Sequence, residues 1–147
     1  MLTTLRVAAL SAALALSAAP AMAQSANPWR DGESWTVTGI SIKDGGDLQY
    51  ADYLAMAWTR QHDFAKSKGW IKGYHVLRNV NPRAGEPDVY LIVVGGSLPD
   101  GATMDARGAE MRAHMAMTEA QISAAARHRA EDRTVMNNIL LREQVRR

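Results

Sequence analysis

Six consecutive residues, Val89-Tyr90-Leu91-Ile92-Val93-Val94, constrain the fold more than any other stretch of the sequence. The run is short, β-branched and bounded by turn-forming segments at 81–88 and 95–101, so it reads as a strand. Side chains alternate along a strand, which sends Val89, Leu91 and Val93 to one side and Tyr90, Ile92 and Val94 to the other. Leaving three such side chains in water forgoes roughly 5–9 kcal/mol at ~1.5–3 kcal/mol each. A whole domain is stable by only ~5–15 kcal/mol. Both faces of this strand therefore need cover.

The remaining elements follow from periodicity. Residues 33–43, rich in Thr, Val, Ile and Trp, read as a first strand. Trp35 and Val37 share one parity there and Ile40 and Ile42 the other, and a bulge at Gly39 would return all four to one face. Asp44-Gly45-Gly46-Asp47 is a turn able to cap a helix. Residues 48–68 then follow helical spacing, with Tyr50, Leu54, Ala57 and Phe64 on one stripe and Tyr53 and Trp58 at its edges. Lys66 and Lys68 complement the helix dipole, and Gly69 stops the helix. A second strand spans 70–80, and the apolar run forms the third at 89–94. Met104, Gly108, Met111, Met115, Ile122 and Ala126 mark a second helical region that reaches Arg129. Thr118-Glu119-Ala120-Gln121 has the form of a capping box and predicts a break near Met117, the alternative being one straight helix. Residues 134–145 form a fourth strand, with Ile139 and Leu141 on one face and Met136 and Leu140 on the other.

The order strand, helix, strand, strand, helix, strand is that of a ferredoxin-like βαββαβ domain of α+β class. It places two helices on one face of a four-stranded antiparallel sheet. Helices of one chain cover one face only, so a homodimer formed through the open sheet face is expected. The competing reading is an isolated sheet whose free face is shielded by an irregular arm at 24–32, through Trp29.

Export is the second inference. Arg6 precedes an apolar or small-residue run from Val7 to Ala19, and Ala21-Met22-Ala23 has the small-x-small form that signal peptidase accepts. The expected cleavage lies between Ala23 and Gln24, and the expected destination is the periplasm or the medium. The apolar run falls short of the ~20 residues of a membrane span, so no membrane insertion is expected after signal removal. The alternative is an N-terminal anchoring helix. Without Arg6, Lys and Arg fall from 17 to 16 against 15 Asp and Glu, a net charge of +1. That near balance supplies no basic field for nucleic acid. With no cysteine, the chain has neither disulfide staples nor thiolate chemistry.

Three segments carry a family resemblance: Glu33-Ser34-Trp35 leading to the Gly-Gly turn, Gly69-Trp70-Ile71-Lys72-Gly73-Tyr74-His75-Val76-Leu77, and the terminal Leu140-Leu141-Arg142-Glu143. Together with the element order they resemble the dimeric α+β-barrel superfamily, which includes antibiotic-biosynthesis-type monooxygenases, haem-degrading enzymes and small exported proteins. The resemblance implies a ferredoxin-like protomer, face-to-face dimerisation and a pocket between sheet and helices. It transfers no catalytic residue.

Candidate site residues centre on His75, which shares strand parity with Ile71, Gly73 and Leu77. Its imidazole could serve a haem or a small-molecule ligand, or act as an acid/base, or else be a hydrogen-bonded core or interface group. Tyr74 and Tyr90 add phenols on neighbouring strands. His62, beside Asp63 and one turn after Trp58, is a further ligand candidate; the plainer reading is a solvated side chain. Met111, His114 and Met115 at i, i+3 and i+4 form a set suited to Cu(I), weighed against flexible core filling, with Met117 pointing elsewhere. His128, with Glu131 and Asp132, reads as dipole compensation rather than a metal site. No nucleophile elbow, phosphate loop or dinucleotide fingerprint occurs. These features favour a binding or structural dimer, requiring no cofactor, over a haem-dependent or cofactor-independent monooxygenase.

Overall fold

The computed structural model describes residues 27–95 and 99–147. The expected signal segment, including the Ala23/Gln24 junction, lies outside them. The chain is α+β, with a four-stranded antiparallel sheet and a helical layer. The strands are β1 (Trp29–Ile42), β2 (Gly73–Arg78), β3 (Val89–Gly95) and β4 (Arg133–Arg146), arranged in the order β2-β3-β1-β4. Between β1 and β2 lie α1 (Asp47–Tyr53), a π-helical turn (Leu54–Trp58) and α2 (Thr59–Ser67); between β3 and β4 lie α3 (Gly101–Met115) and α4 (Glu119–Asp132).

One face of the third strand is covered as its sequence requires. Val89 and Leu91 are buried with Ile40, Tyr50, Leu54 and Trp58 in the core, and Val93 packs against them. Register assigns the other face: Val37 is paired with both Ile92 and Ile139, and Trp35 with both Val94 and Leu141. Residues paired across a sheet share a side. Trp35, Val37, Ile92, Val94, Ile139 and Leu141 therefore form an apolar face opposite the helices. Ile139 and Leu141 are 46% and 49% exposed.

Three expectations need correction. The bulge does not gather Trp35, Val37, Ile40 and Ile42 on one face, because β1 and β3 stay in regular register from Ser34 to Ile40. The irregularity is in β4, where Gly39 pairs with Asn137 but Ile40 pairs with Val135, leaving Met136 as the extra residue. Second, the arm is not irregular throughout: Trp29 to Gly32 belong to β1, and Trp29 pairs with Arg146 as a strand residue instead of folding over the sheet. Third, β2 is shorter than expected and starts at Gly73.

The buried helical stripe also differs, and the π turn explains why. A π turn inserts one residue into the α-helical repeat. Downstream positions rotate accordingly, and Trp58 and Ala65 are buried in place of Ala57 and Phe64. Thr59 donates its hydroxyl to the Leu54 carbonyl at 2.8 Å, satisfying an acceptor at this turn.

The second helical region breaks where the capping box predicted. Ala116 adopts a left-handed conformation (φ 53°), ending α3. Thr118 then caps α4: its side chain accepts from the Gln121 backbone N–H, and the Gln121 side chain accepts from Thr118 N–H at 2.8 Å. The Gly-Gly turn has two distinct requirements. Gly45 has φ +82°, which favours glycine, while a Cβ on Gly46 would overlap the Asp132 carbonyl at the end of α4.

Candidate functional site

The four candidate ligand residues divide between opposite faces of the sheet. His75 pairs with Ile92 and Leu77 with Tyr90, which puts His75 and Tyr90 on the open apolar face. Tyr74 pairs with Val93 and packs against the core on the helical face. A cleft at the β2 edge touches both His75 and Tyr74, together with Trp35, Lys66 and Lys72. The space expected beside His75 exists, since a Cβ on Gly73 would meet nothing within 4 Å. It is not a space enclosed by sheet and helices. His75 is exposed and on the wrong face for a haem held in such a cavity, so the residues do not fit that group.

Tyr74 and His62 do come together. The rotation that buries Trp58 also carries His62 inward, against the expectation of a solvated side chain. Its ring stacks on Trp58 with centroids 3.9 Å apart and lies 5.5 Å from Tyr74, which meets Trp58 edge-on at 5.2 Å. His62 Nδ1 is 2.8 Å from the Trp58 carbonyl. A carbonyl only accepts, so this contact places the proton on Nδ1 in the neutral ring. Burial lowers the His62 pKa below 6.5, opposed by the Trp58 carbonyl and Asp63. The Tyr74 hydroxyl donates to Asp63 Oδ1 at 2.6 Å, and this bond holds the phenol above its usual pKa of 10.0. The cluster can hold a neutral imidazole and a bound phenol proton side by side.

A second concavity lies within the helical layer. Gln49, Tyr53, Ala57 and Gln61 recur at intervals of four along α1, the π turn and α2, and line one wall of a cavity of about 260 Å³. Met115, Met117, Ile122 and Ala125 line the opposite wall, and His128, Arg129 and Asp132 complete it. Met117 was expected to point away from Met115; the left-handed Ala116 turns both into one space. The Arg129 guanidinium lies 4.4 Å from the centre of the Tyr53 ring, and its Nε is buried with no hydrogen-bond partner. Close by, Arg133 lies over Tyr50 at 5.6 Å. Burial pushes the Tyr50 phenol pKa up to about 12, with Arg133 opposing.

Two of the Cu(I) candidates have packing roles. His114 stacks on Phe64 at 4.1 Å, the rings nearly parallel, joining α3 to α2. Met115 is buried against the helical cavity, and Met111 is half-buried. His128 meets Glu131 at 3.3 Å on an exposed surface. Among the described residues, no three His, Asp or Glu side chains converge on a metal position, and no helix is long and apolar enough to cross a membrane.

Sequence reasoning placed Trp58 only at the edge of the buried stripe and missed Arg129 as a cavity group. The first depends on a π turn that has no simple sequence signature. The second was partly visible, since Tyr53 stands at the edge of the first helical stripe and Arg129 at the end of the second helical region. Compared with known proteins, the chain matches no family model, and neither a curated protein nor a solved structure is significantly similar to it.

Proposed function

We propose that this chain is the ferredoxin-like protomer of an exported homodimer, of dimeric α+β-barrel type, that acts as a ligand-binding or structural protein rather than as a catalyst. The observation that carries the reading is the apolar sheet face built by Trp35, Val37, Ile92, Val94, Ile139 and Leu141 on the side away from the core. A contiguous surface of this kind marks an interaction site, and an identical sheet is a self-complementary cover for it. The strand order, with β1 and β3 central and antiparallel, supports the βαββαβ assignment. Export rests on Arg6, the apolar stretch behind it and Ala21-Met22-Ala23.

The binding reading is favoured over chemistry because the polar groups nearest the open face, His75 and Tyr90, belong to the surface that dimerisation would cover. Sedimentation velocity over a hundredfold range of protein concentration tests the assembly. A dimer at micromolar concentration that dissociates on dilution supports the proposal; a folded monomer throughout refutes it.

A further inference from the structure

We propose that the helical-layer cavity binds a free α-amino acid with a large apolar side chain, its carboxylate on Arg129 and its ammonium on Asp132. The proposal rests on the ligand-binding reading given above, but on residues separate from the dimer face.

The first argument is the unpaired guanidinium. Arg129 lines the cavity and makes no ion pair among the described residues. A carboxylate is the acceptor that a guanidinium best recognises. The planar group is held in place by its stack on Tyr53 at 4.4 Å.

Asp132 supplies the second argument. It lines the same cavity three residues beyond Arg129, so one helical face presents a cation and an anion together. A simple organic anion would meet Asp132 as a like charge, and a simple cation would meet Arg129. A zwitterion satisfies both.

Size and polarity of the remaining walls set the side chain. Met115, Met117 and Ile122 face Ala57, and small residues opposite flexible methionines leave a space suited to an aromatic or branched aliphatic group. At about 260 Å³ the cavity lies just below the usual range for small-molecule sites, about 300–1,000 Å³, which excludes large cofactors. Gln49 and Gln61 at the wall offer further amide contacts.

The test uses L-phenylalanine as probe, with 3-phenylpropionate lacking the ammonium and phenethylamine lacking the carboxylate. Binding is read from the ¹³C-methyl resonances of methionine. Met115 and Met117 should shift saturably with phenylalanine, while the exposed Met56, Met104 and Met136 stay in place. Each analogue should bind roughly ten- to hundredfold more weakly, the value of one charged hydrogen bond. Arg129→Gln should weaken phenylalanine and phenylpropionate but not phenethylamine, and Asp132→Asn should weaken phenylalanine and phenethylamine but not phenylpropionate. The analogue series on the unaltered protein stands even if a variant fails to fold. Absence of a saturable shift, an analogue that binds as tightly as phenylalanine, or a shift confined to Met136 on β4 would overturn the proposal. Sedimentation of the same samples separates that failure from failure of the dimer.

Discussion

At the scale of single residues, His62 shows how one inserted helical position changes a side chain's chemistry. On an unbroken α-helix, Ala57 and Phe64 would face the sheet and His62 would lie to the side. The π turn turns Trp58 and His62 inward, and burial then disfavours the imidazolium. The folded-state pKa is depressed, so the folded state takes up a proton less readily than the unfolded chain. The contribution is complete above the unfolded value of 6.5 and is lost as pH falls through the lowered folded value. We expect unfolding free energy, measured by urea titration, to decline as pH drops below 6.5, and expect His62→Gln to flatten that decline. The exposed Asp100 has its carboxyl held below 3.8 by the Thr103 side chain and N–H, so its effect belongs to a more acidic window. The histidine step can thus be read by itself. None of this was legible in the sequence, where His62 beside Asp63 looks like a solvated pair.

At the scale of elements, the legible features were those with short-range causes. The capping box at Thr118, the stop at Gly69 (φ +69°) and the Gly45 turn each depend on a few neighbouring residues, and each occurs where its residues predict. The bulge and the π turn depend on partners distant in sequence. Gly39 invites a bulge, yet its Cβ position is filled by Pro87 and Asn137. Its backbone N–H donates to Asn137 Oδ1 at 3.1 Å, and β4 takes the extra residue instead. Local pattern identified the site of the irregularity but not the strand that carries it. The Thr118 cap should matter because α4 has no buried residue to hold it by packing. Thr118→Ala is expected to cost about 1 kcal/mol, the usual value of an N-cap. Chemical denaturation measures the loss, and Thr118→Ser should restore most of it.

At the scale of the whole molecule, the sheet has more apolar surface than the chain's own helices cover. The buried cluster is built on Ile40, Val89 and Leu91, which lie toward the β2-β3-β1 side, while β4 remains an exposed edge. Leu140 and Leu141 are equally open, at 51% and 49%. Register nevertheless assigns them opposite faces: Leu141 pairs with Trp35 on the open side, and Leu140 pairs with Thr36 on the helical side. Exposure cannot distinguish the two, but assembly can. If copies meet through the open face, Leu141→Asp removes an apolar group twice in each dimer. At ~1.5–3 kcal/mol per copy, that is ~3–6 kcal/mol, or more than a hundredfold in the dissociation constant. Leu140→Asp introduces the same charge one residue away and should leave association within a fewfold of the parent. Sedimentation equilibrium on the two variants compares them directly. Equal effects would mean that copies associate along the β4 edge instead of through the face, because an edge contact approaches both side chains alike.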